Sequence, residues 1–166
     1  WVTTYDDRVV EFNPTTLQLT GRSFPVGPAP EGIASAHGRL FVANSSQGRL
    51  RATEAKSWSV SVLDPSTGTE ISLLQLGHNP WGIHYLPITD RVYLLSRPLY
   101  PDSVGGLIEI NPTTLAEERR WKFINPGPME VAFDDLRGVA YLLANGGVMR
   151  LQLRGNGDTA TLFLSG

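Results

Sequence analysis

Seven residues in three stretches of the chain have the chemistry to hold a polar ligand: His78, Asn79 and Trp81, then Arg97, Tyr100 and Asp102, then Glu130. Indole and phenol rings offer stacking platforms for a glycan or a peptide, while amide, guanidinium and carboxylate groups fix its orientation. The same side chains also admit a catalytic reading, in which His78 and Glu130 form an acid–base pair. A plainer reading competes with both: Trp81 and Tyr100 cover apolar neighbours and the charges form a solvated rim. His37, His78 and His84 together raise a metal site with Glu130. That idea is weak on position, because His37 falls in a turn and His84 within an apolar segment, where a packed or hydrogen-bonded imidazole is the commoner outcome. No metal or cofactor is expected.

Other motifs are empty or have simple explanations. There is no Gly-x-Ser-x-Gly elbow and no His-Glu-x-x-His. Gly155-Asn156-Gly157-Asp158 imitates a dinucleotide fingerprint but follows no βα unit, so it reads as a hairpin turn. Asp134-Asp135 before Gly138 reads as a turn cap. Asn44-Ser45-Ser46 is a glycosylation sequon, relevant only in a secreted eukaryotic protein.

The elements that position these residues follow from a repeat. An Asx-Pro turn recurs about every fifty residues, at Asn13-Pro14, Asp64-Pro65 and Asn111-Pro112. About sixteen residues after each comes a second proline opening an apolar segment: Pro30-Glu31-Gly32-Ile33, Pro80-Trp81-Gly82-Ile83 and Pro128-Met129-Glu130-Val131. A third mark is an aromatic, β-branched strand around Phe41, Tyr93 and Tyr141, with Trp1 to Tyr5 as its first copy. Each period resolves into four short strands, in the third copy Gly82 to Leu86, Arg91 to Ser96, Gly106 to Ile110 and Arg119 to Ile124. Ser57 to Val62 reads as strand by its alternation of small and large residues. Thr114 to Trp121 carries a capping box and helix formers, but its register matches the strand-like Gly68 to Leu76, so strand is expected there too.

Four-stranded meanders at this period are the mark of β-propeller blades, since each sheet must bury both faces against its neighbours. The expected fold is therefore all-β, a single β-propeller segment over 1–166 of about 3.75 blades, with repeats at 1–30, 31–80, 81–128 and 129–166. The first copy lacks an innermost strand, and about 3.75 blades fit either a shortened four-bladed ring or an arc. The open faces of an arc would pair with a second copy or with the remainder of a longer chain.

In such a meander the loops from second to third strand, and from fourth strand to the next blade, emerge on one face. Two long loops would sit side by side there, Ser45 to Lys56, carrying Arg49, Arg51, Glu54 and Lys56, and Arg97 to Gly105. The blade-to-blade turns bring His78, Asn79, Trp81 and Glu130 to the same face. The first and fourth copies have tight connections instead, at Asp6-Asp7 and Gly146-Gly147.

Bulk composition removes several classes. The 14 Lys and Arg are scattered and slightly outnumbered by 16 Asp and Glu, which leaves no basic field for nucleic acid. No apolar run is long enough to span a bilayer as a helix. Cysteine is absent, so no disulfide or thiolate metal site exists. The start at Trp1, within a strand, suggests a processed or excised piece.

In the second copy, Phe41-Val42-Ala43-Asn44, Val60-Ser61-Val62-Leu63-Asp64-Pro65-Ser66-Thr67-Gly68, Leu76-Gly77 and Pro80-Trp81-Gly82-Ile83 together resemble the YVTN-type β-propeller repeat of bacterial surface-layer and periplasmic proteins. The resemblance spans essentially the whole chain and is weakest after Asn145. It implies a larger ring, seven- or eight-bladed, an extracytoplasmic location in the periplasm or at the cell surface, and a non-enzymatic binding or scaffold role with a protein or glycan ligand. It supplies no catalytic residues. The alternative is a propeller enzyme of the lactonase or streptogramin-lyase kind, with a His and an acidic residue at the channel mouth.

Overall fold

The structure is a computed structural model and describes residues 1–99, 104–124, 127–144, 146–155 and 160–165. Tyr100 and Asp102, two of the expected site residues, lie outside the described residues. Among those described there is no helix, and fifteen strands form four antiparallel meanders. The first has three strands, β1 (Val2–Thr4), β2 (Arg8–Asn13) and β3 (Gln18–Pro25). The second runs β4 (Pro30–Ala36), β5 (Arg39–Asn44), β6 (Ser59–Leu63), β7 (Glu70–Leu74). The third runs β8 (Pro80–Leu86), β9 (Arg91–Ser96), β10 (Val104–Ile110), β11 (Glu117–Ile124). The fourth runs β12 (Pro128–Asp134), β13 (Val139–Ala144), β14 (Gly147–Gln152), β15 (Thr161–Ser165). The helix-like stretch before Trp121 is strand from Glu117 onward, because its partner β10 and the seam beyond it require extended backbone. One strand is shorter than expected: Ser57 and Trp58 lie in a turn, with Trp58 at φ 52°, and β6 begins only at Ser59.

The Asx-Pro turns repeat one hydrogen-bond pattern. Asn13 Oδ1 accepts the N–H groups of Thr15 and Thr16, Asp64 Oδ1 that of Ser66, and Asn111 Oδ1 those of Thr113 and Thr114. Each turn closes on a left-handed residue whose N–H returns to the Asx carbonyl, Leu17, Gly68 and Leu115. Asp134 makes the same cap over Leu136 and Arg137 between β12 and β13.

Strand alternation sends the two faces of each sheet into different seams. Phe41, Ala43, Val60 and Val62 pack with Val92, Leu94, Ile108 and Ile110 between the second and third sheets. Tyr93, Leu95, Leu107 and Trp121 turn the other way and pack with Ala140, Leu142 and Leu151 of the fourth. Leu40, Val42 and Leu63 meet Val9, with Trp1 and Phe24, of the first. Close approach of the innermost strands depends on Gly32, where a Cβ would lie 2.6 Å from the Trp81 carbonyl oxygen and 2.7 Å from the Ile83 nitrogen.

Arginines clip each seam at the end opposite the long loops. Arg22 of the first sheet donates to the carbonyls of Pro65 and Ser66 in the turn between β6 and β7. Arg39 of the second reaches Pro112 and Thr113 at 2.9 and 3.1 Å, between β10 and β11. Arg119 of the third reaches Leu153 and Gly155, both at 2.9 Å, after β14.

Candidate functional site

Arg97, the first residue after β9, is the hub of the long-loop face. Its guanidinium carbon lies 3.6 Å from the centroid of the Trp81 ring, a cation–π contact. Its Nη2 donates to Glu130 Oε2 at 2.7 Å, and its Nε donates to the Met129 carbonyl, both on the innermost strand of the fourth sheet. The Arg97 N–H in turn donates to the Asn79 carbonyl at 3.1 Å. Trp81, Arg97 and Glu130 thus form one group that bridges the third and fourth sheets. Trp81 and Glu130 stand on strands β8 and β12, not in the turns before them. Glu31 belongs to the same neighbourhood: burial raises its carboxyl above the ordinary range, and the Arg97 charge pulls the other way. The site residues named from the sequence did not include it, although Pro30-Glu31-Gly32 occupies the register of Pro80-Trp81-Gly82.

Asn79 is buried at 7% exposure, in the left-handed region at φ 48° that asparagine tolerates. Its Oδ1 has no hydrogen-bond partner among the described residues. His78 stacks obliquely on Trp58 at 4.4 Å between ring centroids, and Trp58 is anchored by its Nε1 donating to Gly48 O at 2.7 Å. The two long loops do sit side by side, since a Cβ on Gly48 would lie 3.2 Å from Leu99 Cδ2. His78 and Glu130 are held by different partners, Trp58 and Arg97. Within the first long loop, Arg51 grips Asp7 of the first sheet through two hydrogen bonds and also binds Glu54, while Lys56 pairs with Glu70. These charges tie the loop down.

No family model matches the chain, and no curated protein matches it. Solved structures do. Hydrazine synthase of Kuenenia stuttgartiensis superposes with a TM-score of 0.71 at 18% identity, over 95% of this chain and 43% of that one. The WD40 domain of Toxoplasma gondii coronin gives 0.68 at 10% identity, over 95% and 40%. A protein of unknown function from Desulfotomaculum acetoxidans gives 0.62 at 16% identity, over 94% and 51%. The fold is a β-propeller segment. The chain spans about half the length of these structures or less, and at such identities the likeness concerns the fold alone.

The other two histidines of this propeller segment are occupied elsewhere. His37, in the turn between the first two strands of its blade, contacts Thr113 Oγ1 at 2.9 Å and Asp90 Oδ1 at 2.6 Å on the face opposite the long loops. His84 stacks flat on Phe133 and meets Asp135 Oδ1 at 3.0 Å. No group of three His, Cys, Asp or Glu close enough to hold a metal ion occurs among the described residues. The Asn44 sequon is closed in the folded blade, because that side chain is fully buried and hydrogen-bonded.

The carboxylates of the blade turns set an acid limit. Arg51 holds the Asp7 carboxyl below its ordinary 3.8, as the Ser66 hydroxyl does for Asp64, Tyr85 for Asp90, and Arg137 for Asp134. A carboxyl with a lowered folded value stabilises the fold fully above its unfolded value, and that contribution is lost as pH falls through the lower one. Glu31 and Glu109 have the opposite sign: burial raises both above 4.5, so their ionised forms destabilise at neutral pH and that cost fades as pH falls toward 4.5. Stability is therefore expected to hold from neutral pH to mildly acidic conditions and to drop below pH 3.8. Urea midpoints measured across this range should show a shallower acid decline in Asp7→Asn than in the parent.

Proposed function

We propose that this chain is part of a non-enzymatic YVTN-type propeller module of the bacterial cell envelope, outside the cytoplasm, that takes a protein or glycan ligand on its long-loop face. The observation that carries this reading is the Trp81–Arg97–Glu130 group, an aromatic platform whose cation and carboxylate are fixed by contacts across two blades. Fixed stacking and hydrogen-bonding groups suit recognition, since little freedom is lost when a ligand arrives. His78 and Asn79 belong to the proposed face, to which sequence position alone assigns Tyr100 and Asp102. The envelope location rests on the repeat resemblance. A lactonase-like or lyase-like enzyme gains no support from the pair it would need, because His78 and Glu130 are engaged separately.

The partner proposal has a second half. Tyr141, Leu143 and Val148 of the last blade, and Val2 and Val10 of the first, hold registers that face a neighbouring blade elsewhere in the chain. We infer that further blades of the same kind cover them, from a second copy or from the rest of a longer chain. Native mass spectrometry at micromolar concentration tests self-association, and a well-folded species that stays strictly monomeric would exclude the second copy.

Glycan and peptide arrays identify the ligand, and Trp81→Ala then tests the platform. Binding should fall by about tenfold or more, as for an aromatic anchor at an interface centre. If stability falls instead by about 3–5 kcal/mol, as for a truncated core aromatic, Trp81 is a packing residue and the assignment fails.

A further inference from the structure

A cavity of about 270 Å³ opens on the long-loop face at the seam between the second and third blades. Its lining includes Gly77 and His78 of the inter-blade linker, Ser96 at the end of β9, Gly106 in β10, and Arg120 and Lys122 on β11. The corresponding place one blade earlier is filled. The registers Pro30↔Asn44↔Ser59 and Pro80↔Ser96↔Gly106 are equivalent, which sets Ser96 at the position of Asn44, Gly106 at that of Ser59, and Gly77 at that of Gly27.

Asn44 fills that earlier place with its amide. Its Oδ1 accepts the Gly27 N–H at 3.1 Å, and its Nδ2 donates to Ser59 and Ser61 at 2.9 and 3.0 Å. The wall there is tight, for a Cβ on Gly27 would lie 2.6 Å from the Asn44 amide and 2.7 Å from Lys56 O. In the third blade Ser96 is too short to reach across, and its hydroxyl is turned to His78 O at 2.6 Å. Gly106 brings no side chain and Ile108 replaces Ser61. The repeat has lost an internal acceptor there and left a cavity.

The charge around it has also changed. Arg120 and Lys122 stand where the second blade has Leu73 and Gln75, by the registers of β7 and β11. Arg120 is steered to the cavity by Glu117 and the Leu76 carbonyl, and its Nη1 lies 3.2 Å from where a Cβ on Gly77 would sit. Glu117 balances one of the two cations, so the lining keeps one net positive charge.

We propose that this cavity is a carboxylate-binding site. A ligand carboxylate takes the place of the Asn44 amide oxygen, accepting from the Gly77 N–H and pairing with Arg120 and Lys122, while Leu99 and Val104 cover its apolar body. The volume suits a molecule of amino-acid size or the last residue of a peptide. The site stands apart from the Trp81 platform, with only His78 shared between them.

The test is a titration of the isotopically labelled chain by N-acetylalanine, by trialanine with a free C-terminus, by the amides of both, and by inorganic phosphate, following the amide signals of Gly77, Gly105 and Gly106. Both acids are expected to move these signals and the amides to leave them still; if only N-acetylalanine acts, the source is a free small acid, and if only trialanine acts, a peptide terminus. Ser96→Asn, which restores the filling seen one blade earlier, should weaken binding by about tenfold or more with the fold intact, and Lys122→Ala by about tenfold, the scale of one charge-assisted hydrogen bond. Trp81→Ala should leave the titration unchanged, which separates this test from that of the platform. Equal responses to acids and amides, a response to phosphate alone, silence with every probe, or undiminished binding in Ser96→Asn would overturn the proposal.

Discussion

Tyr93→Ala is expected to lower stability by about 3–5 kcal/mol, the range for truncating a fully buried aromatic, whereas Tyr141→Ala in the same chain should cost less than about 1 kcal/mol. The two tyrosines hold one register, each on the second strand of its blade. Tyr93 is fully buried against Trp121 and Phe133, with its hydroxyl on Thr89. Tyr141 is only half-buried and touches Phe163, which is itself exposed. Two residues farther on, Leu95 is 0% exposed and Leu143 is 52% exposed. Urea unfolding of both variants gives the comparison directly. If Tyr141→Ala costs as much as Tyr93→Ala in this chain, its face is already covered, and the covering-blade proposal must be recast.

The second large effect is at Asn44. Asn44→Ala leaves the Gly27 N–H and the Ser59 and Ser61 hydroxyls without their shared partner inside a closed seam. Each buried group left unpaired costs about 1–3 kcal/mol, so a loss on the order of 3 kcal/mol is expected, Ser59 retaining its bond to Lys56 O. Ser96→Ala removes only the bond to His78 O and should cost about 1 kcal/mol. A loss below that at Asn44 would show that its amide does not hold the linker in place. Thermal or urea midpoints at one pH suffice for both variants.

Much of the fold was legible because it is written three times over. The Asx-Pro turn, the proline that opens an innermost strand and the aromatic of the second strand recur in step. Their common register decided for strand before Trp121, where local propensity favoured helix. Trp58 lies outside the strand that the alternation of Ser57 to Val62 predicts, because that alternation runs on past the point where the backbone turns. The site was less legible. Trp81, Arg97 and Glu130 stand out by residue type and loop position, but the cation–π contact between Trp81 and Arg97 and the ion pair to Glu130 depend on a side-chain path no spacing encodes. Glu31 had a usable signal, its match to Trp81 in the repeat. The cavity beside Gly77 had a subtler one, since it is visible only as a difference between copies, Asn44 against Ser96 and Ser59 against Gly106.

The arginine clips give the segment a direction. Arg22, Arg39 and Arg119 each reach forward, from one blade to turn carbonyls of the next, and the Tyr93 and Phe41 faces look forward with them. A surface built this way has a head and a tail, and the two are not self-complementary. Two copies set face to face through their last blades would bring like against like, with neither side offering the turn that a clip requires. Were copies to associate through these seams, a head-to-tail arrangement would suit them, which either closes into a ring or continues as an open fibre, depending on the rotation per unit. Any symmetry of such an association would then follow from the direction in which three arginines point.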